Sequence, residues 1–155
     1  MDDLGAEQRA LFRRWPAGVS VVVAEVDGRR AALTVSSLVS LSLEPPLVGI
    51  SIAHQASLHE LLRGADEWTA SILAGDQEHL AQHFARSVPP IVLWNGIDVR
   101  DDPRLLKGAA GWFIARTVAE HRTGDHTFFV GEVQSVEEGN AADSLTYVHR
   151  SYKRV

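Results

Sequence analysis

Stretches of strand-like alternation dominate this chain. GVSVVVAEV, residues 18–26, is rich in β-branched residues and predicts a strand. Asp27-Gly28 follows as a two-residue hairpin turn, and RRAALTV returns as its partner. TVSSLVSLSLEPP, residues 34–46, then puts Thr34, Ser36, Ser40 and Ser42 on one parity and Val35, Ser37, Val39, Leu41 and Leu43 on the other. On an extended strand this lines one face with hydroxyls until Pro45-Pro46. PLVGISIA (46–53), WTASILA (68–74), GWFIARTVAEHR (111–122) and HTFFVGEVQSVEE (126–138) predict further strands. The last two are joined through Thr123-Gly124-Asp125, and Leu145–Val148 is expected to close the sheet.

Helical patterns are fewer. Leu4, Leu11, Phe12 and Trp15 share a helical spacing over 4–15, with Asp2 and Asp3 as N-terminal caps. Ser57-Leu58-His59-Glu60 matches a capping box and starts a short helix ending at Gly64. Asp76 is expected to cap a helix through QEHLAQHFAR, with Leu80, His83 and Phe84 along one side. Residues 87–103 hold three of the six prolines and Asn95-Gly96, and predict a long loop. Strands outnumber helices and mostly follow one another by short turns, so the expectation is a mainly β protein: an antiparallel β-barrel with a few packed α-helices, one domain over 1–155. A doubly wound α/β fold lacks the regular strand–helix alternation it needs.

Composition narrows the function. With 45% apolar residues, the 155-residue chain can bury a real core. No apolar run reaches the ~20 residues of a membrane span, and the acidic N-terminus lacks a signal pattern. Without cysteine there is no disulfide, iron–sulfur cluster or thiolate zinc site. A cytoplasmic protein without a membrane partner is expected. The net charge of −5 argues against nucleic acid, which requires a concentrated basic surface.

Familiar catalytic constellations are absent. There is no G-x-G-x-x-G after a strand, no P-loop and no G-x-S-x-G elbow. His79 and His83 have an i, i+4 spacing suited to a metal, but Leu80 breaks the H-E-x-x-H pattern, so no metal is expected. Ser36-Ser37, His126 and Asp125 can be drawn as a triad, yet adjacent residues on a strand face opposite ways. The hydroxyl face has two readings. Serines can bond neighbouring backbone, or, with the helix starting at Ser57, they can hold a phosphorylated polyol without fixed positive charge.

Taken in order, these pieces resemble the short-chain flavin reductases, the reductase partners of two-component flavin monooxygenases. The resemblance covers about residues 8 to 152. It rests on FRRWPAGVSVVVAEV, the T-x-S-S, S-x-S and P-P segments, SILAGDQEHLAQHFA, DDPRLLKGAAGWF, GDHTFFVGEV and Tyr152. It implies an FMN-binding split barrel of Greek-key type, a homodimer with flavin near the subunit interface, and hydride transfer from NADH or NADPH to FMN or FAD. The reduced flavin then diffuses to an oxygenase.

Carried onto this chain, the resemblance implies that Thr34, Val35, Ser36 and Ser37 contact the ribityl and phosphate region of the flavin. Ser51, Ile52 and Ala53 run along the isoalloxazine edge, and Ser57 and Leu58 meet the phosphate. Phe84, Ala85 and Arg86 lie beside the cofactor, His126 near the nicotinamide, and Tyr152 approaches the same site. Ala32 replaces the usual glycine before T-x-S-S, and SVPPIVLWNGIDV replaces a D-R-F stretch, with Trp94 in the place of its Phe. Three other readings stay open: a flavin-binding electron carrier or sensor, a pyridoxamine phosphate oxidase-like enzyme, and a serine-lined barrel for another phosphorylated metabolite.

Overall fold

In the computed structural model, which describes residues 3–155, α1 (Asp3–Phe12) and the short strand β1 (Ala17–Gly18) lead into β2 (Ser20–Val26). Asp2, one of the two expected caps, lies outside the described residues. Asp27 and Gly28 take φ of 51° and 79°, the left-handed pair that a two-residue hairpin demands and that glycine adopts without a Cβ clash. The turn joins β2 to β3 (Arg29–Val35) in antiparallel register, Val26 opposite Arg29 and Ser20 opposite Val35.

The expected single hydroxyl-faced strand is two strands. Extended pairing stops at Val35, and β4 (Val39–Leu43) begins after Ser36–Leu38. A two-residue turn, Glu44-Pro45, then starts β5 (Pro46–Ala53), so the missing proline N–H falls at the strand's first position. There follow α2 (Ser57–Gly64), β6 (Glu67–Ile72), α3 (Glu78–Ala85), β7 (Gly111–Thr123), β8 (His126–Glu138), β9 (Leu145–Val148) and β10 (Ser151–Arg154). One antiparallel seven-stranded sheet has the order β3-β2-β6-β7-β8-β5-β4. β9 does not join it; instead it pairs with β1 and β10 in a separate three-stranded sheet. The protein is therefore mainly β, with an antiparallel sheet and helices packed against it.

β2 is apolar on both faces from Val21 to Ala24 because alternate residues enter two different cores. Val22 and Ala24 pack into a core with Trp68, Ile50, Phe129 and the α2 residues Leu58, Leu61 and Leu62. Val21 and Val23 point the other way, into a core with Leu73, Leu106 and the α3 residues Leu80, Ala81 and Phe84. Each fully buried leucine contributes about 1.5–3 kcal/mol, which fixes both helices to opposite faces of the same strand.

Both expected helix caps are corrected. α2 is preceded by Ala56 with no side-chain cap, and Ser57 is its first helical residue. α3 is preceded by Gln77, not Asp76. The Gln77 side chain accepts from the Ala74 amide at 2.9 Å and donates to the Lys107 carbonyl at 2.8 Å, tying the helix start to the following loop. That loop runs over 86–110, longer than expected, and is stapled by Arg104. Its guanidinium donates to both Asp102 oxygens, at 3.0 and 2.8 Å, and to Glu67 at 2.8 Å.

Candidate functional site

The turn from β5 into α2 brings several of the expected residues together. Ala53, the last residue of β5, is opposite His126, the first of β8, and the His54 amide donates to the Asp125 carbonyl at 3.0 Å. Ser57 follows at the uncapped start of α2, where the first amides lack intrahelical acceptors. The His59 amide donates to the Ala56 carbonyl at 3.0 Å, so with no side-chain cap the Ser57 and Leu58 amides are the ones left to meet an anion.

Asp125 and His126 are hydrogen-bonded despite their adjacency, the His126 Nδ1–H donating to Asp125 Oδ1 at 2.7 Å. Strand alternation does not separate them, because Asp125 lies in the turn and not on β8. The bond, together with the imidazole's charge when protonated, holds the Asp125 carboxyl below its ordinary value. Neither serine 36 nor serine 37 is bonded to this pair. Ser37 instead donates to the Ser51 carbonyl and accepts from the Ser51 amide, each at 3.0 Å. The Thr34 hydroxyl donates to the Ala81 carbonyl in α3 at 2.6 Å, and Ser36 is exposed. Two of the four 34–37 residues therefore spend their hydroxyls on structure, and Val35 is buried.

A cavity of about 570 Å³ opens between α2, β3 and α3. Ser57, Phe84, Ala85 and Arg86 from the expected set line it, together with Arg29, Arg30 and Trp94. Ala85 and Arg86 also border a neighbouring cleft shared with Tyr152. Leu58, Ile52 and Phe84 have buried side chains in the two cores, so at most their backbone or an edge meets a ligand. Burial raises the Tyr152 phenol above its ordinary value, with Tyr147 and Glu78 adding to the effect.

His83 Nε2–H donates to the Leu93 carbonyl at 2.8 Å, and among the described residues no cluster of three metal-ligating side chains exists.

Sequence reasoning missed His59. Its ring is buried, with Nδ1–H donating to Glu60 Oε1 at 2.9 Å and Nε2 bonded to Thr127 Oγ1 at 2.8 Å. The S-x-x-E pattern that seemed to mark a cap held this signal: Glu60 is used by His59 instead of the backbone. Arg30 was also missed, because its partner Trp94 lies 64 residues further along the chain.

An uncapped helix start, three arginines and an aromatic wall around one cleft define a β protein shaped for an anionic, partly aromatic ligand such as a nucleotide cofactor. The flavin reductase like domain family matches residues 12–155, and the chain belongs to that family. It is 36% identical to the reductase component of 4-hydroxyphenylacetate 3-monooxygenase from Thermus thermophilus, covering 92% of this chain and 91% of that protein. It is 35% identical to an NADH:FMN oxidoreductase from Rhodococcus qingshengii, covering 96% and 80%. Among solved structures, the NADH:FAD oxidoreductase of Streptomyces globisporus C-1027 in complex with NAD and FAD fragments superposes with a TM-score of 0.89 at 27% identity, covering 97% and 92%.

Proposed function

We propose that this protein is an NAD(P)H:flavin oxidoreductase that supplies reduced FMN or FAD to a partner monooxygenase. The observation that carries the reading is the cleft, where the free amides at Ser57 and the Arg86 guanidinium border a wall built from Phe84 and Leu61. A phosphate-bearing isoalloxazine fits that donor set: cationic and amide donors for the phosphate, apolar surface for the ring.

A bound flavin would supply the two-electron acceptor for a hydride from NAD(P)H, with a proton taken up and NAD(P)+ released. The chain's residues bind and orient. Ser57 and Leu58 offer main-chain amides to the phosphate, and Arg86 neutralises it. Ser36 and the backbone of Thr34, Val35 and Ser37 face the polyol, and Ser51, Ile52 and Ala53 present main-chain groups to the ring edge. Phe84 and Ala85 exclude water beside it. His126, held by Asp125, orients the nicotinamide, and Tyr152 closes the site from the C-terminal hairpin.

Curling of the sheet into a split, Greek-key barrel is supported by its connectivity. β3 and β4 stand at opposite ends of the strand order, yet Ser36–Leu38 alone join them. Seven flat strands place their edges ~29 Å apart at about 4.8 Å per step, whereas four Cα–Cα steps reach at most ~15 Å. The edges have to approach each other. The barrel makes one domain of 1–155. A homodimer is supported by exposed apolar side chains: Leu4, Leu11, Phe12 and Trp15 around α1, and Val39, Leu41 and Leu43 on the edge strand β4. Among the described residues no helix is long and apolar enough to cross a membrane; the cytoplasm, where NAD(P)H is available, suits the reaction.

Steady-state oxidation of NADH and NADPH with free riboflavin, FMN and FAD tests the function. Catalytic turnover of added flavin is expected; stoichiometric reduction alone makes the protein a carrier, and no reduction removes the redox assignment. Light scattering of the eluted peak reads the dimer.

A further inference from the structure

α2 buries Leu58, His59, Leu61 and Leu62, and one member of that apolar set is an imidazole. A leucine at position 59 would bury apolar surface with nothing to satisfy, whereas a buried ring nitrogen without a partner is costly. Both nitrogens of His59 have partners. Nδ1–H donates to Glu60 Oε1 at 2.9 Å, which leaves Nε2 of the uncharged ring as an acceptor, and the Thr127 hydroxyl donates to it at 2.8 Å. The ring also lies edge-to-face with His54 and Phe129, with centroids 5.1 and 5.6 Å away.

These contacts join the pieces of chain that meet at the candidate site. His54 follows Ala53 at the end of β5, and its amide donates to the Asp125 carbonyl. Ser57 and Leu58, whose amides are offered to the phosphate, immediately precede His59. Thr127 immediately follows His126, where the β5–β8 ladder ends opposite Ala53. Main-chain pairing fixes β8 within the sheet; the bond from α2 to the Thr127 side chain fixes it across the sheet face. Adjacent strand side chains point to opposite faces, so a hold on Thr127 sets the main chain from which the His126 ring projects the other way.

We propose that His59 is a positioning residue for the reductase reaction: through Thr127 it locks the first turn of α2 to the start of β8, so that the phosphate-facing amides and the His126 ring keep a fixed separation. The inference rests on the reductase reading, with His126 at the nicotinamide, and deepens it by naming what holds that histidine. Leu58 and Leu62 are buried and anchor α2 without the bond. Flavin therefore binds as before when the bond is lost, and the loss falls on the nicotinamide step.

The test compares Thr127→Val, which keeps the branched shape and removes the hydroxyl, with Thr127→Ser, which keeps the hydroxyl. In Thr127→Val, kcat/KM for NADH should fall about fivefold while the FMN dissociation constant stays within about twofold of wild type. Thr127→Ser should recover most of that loss. In an His126→Ala background, Thr127→Val should change kcat/KM no further, because the group it positions is gone. A bond of purely structural value would lower the unfolding temperature and leave kcat/KM for NADH at the wild-type value, and that result overturns the proposal. An equal fall in both backgrounds overturns it too.

His59→Leu is the second variant if Thr127→Val fails to fold; it extends the buried leucine set and should show the same fall with the same dependence on His126. A readout free of turnover separates the proposal from the reductase reading. The His126 Cε1–H resonance, identified by its loss in His126→Ala, should shift in Thr127→Val and return in Thr127→Ser. An unchanged resonance overturns the positioning role. A wild type that oxidises no NADH with FMN, but whose resonance moves in this way, removes the reductase reading and leaves His59 as the residue that sets His126.

Discussion

The Ser37 hydroxyl donates to the Ser51 carbonyl and accepts from the Ser51 amide, both at 3.0 Å. β4 pairs with β5 only as far as Val39 opposite Gly49, so a side chain takes over where the ladder ends. Ser37→Ala removes both partners from a half-buried main chain. The expected cost is about 1–3 kcal/mol in urea denaturation, with weaker flavin binding because Ser51 loses its position. Unchanged stability would show that water replaces the hydroxyl freely.

His126 and Asp125 give a kinetic prediction. His126→Ala should cut turnover with NAD(P)H while the affinity for oxidised flavin stays near its original value. Loss of flavin binding with normal turnover of the remainder would refute the assigned role. Asp125→Asn keeps the turn but weakens the charge-assisted bond, and kcat/KM for NADH should fall about threefold.

The pH dependence follows from the same pair. The Asp125 carboxyl is held below its usual 3.8 by the His126 hydrogen bond first and the imidazole charge second. A depressed carboxyl keeps its interaction above its unfolded value and loses it only as pH falls through the lower folded value. The ratio of wild-type to Asp125→Asn activity should therefore stay level on the carboxyl's account down to about pH 5. A ratio that collapses above that point assigns the bond to some other titration.

Gly131 is occupied by a close approach. A Cβ there would stand 2.8 Å from Trp68 Cζ2 and 2.9 Å from the Ala115 Cβ, both in the sheet core. Gly131→Ala should cost about 1–3 kcal/mol by overpacking. Thermal unfolding checks it; a neutral result would mean that the indole can shift.

His59 and Thr127 are joined at 2.8 Å in a buried site behind the turn that carries His126. His59→Phe and Thr127→Val each leave one polar group buried without its partner, at about 1–3 kcal/mol apiece. The double variant should cost less than the sum, because the second change removes the orphan made by the first. Strict additivity would deny the coupling.

Strand identity, the Asp27-Gly28 hairpin and the order of family motifs were legible in the residues themselves, because β-branching and two-residue turns act over a few positions. The family followed from that ordered set. Local rules failed where a side chain had a better partner far along the chain. Ser57 and Glu60 have capping-box spacing, but Glu60 bonds His59, which reaches Thr127. Parity placed Thr34 and Ser36 on one hydroxyl face, but the chain bends at Ser36 to send β4 to the far edge of the sheet. Arg30 carries no local signal, since the Trp94 ring beneath its guanidinium comes from 64 residues away. Which strands form depends on neighbouring residues; which hydroxyls and guanidinium groups remain for a ligand depends on long-range contacts that consume the others, and only the folded chain decides that.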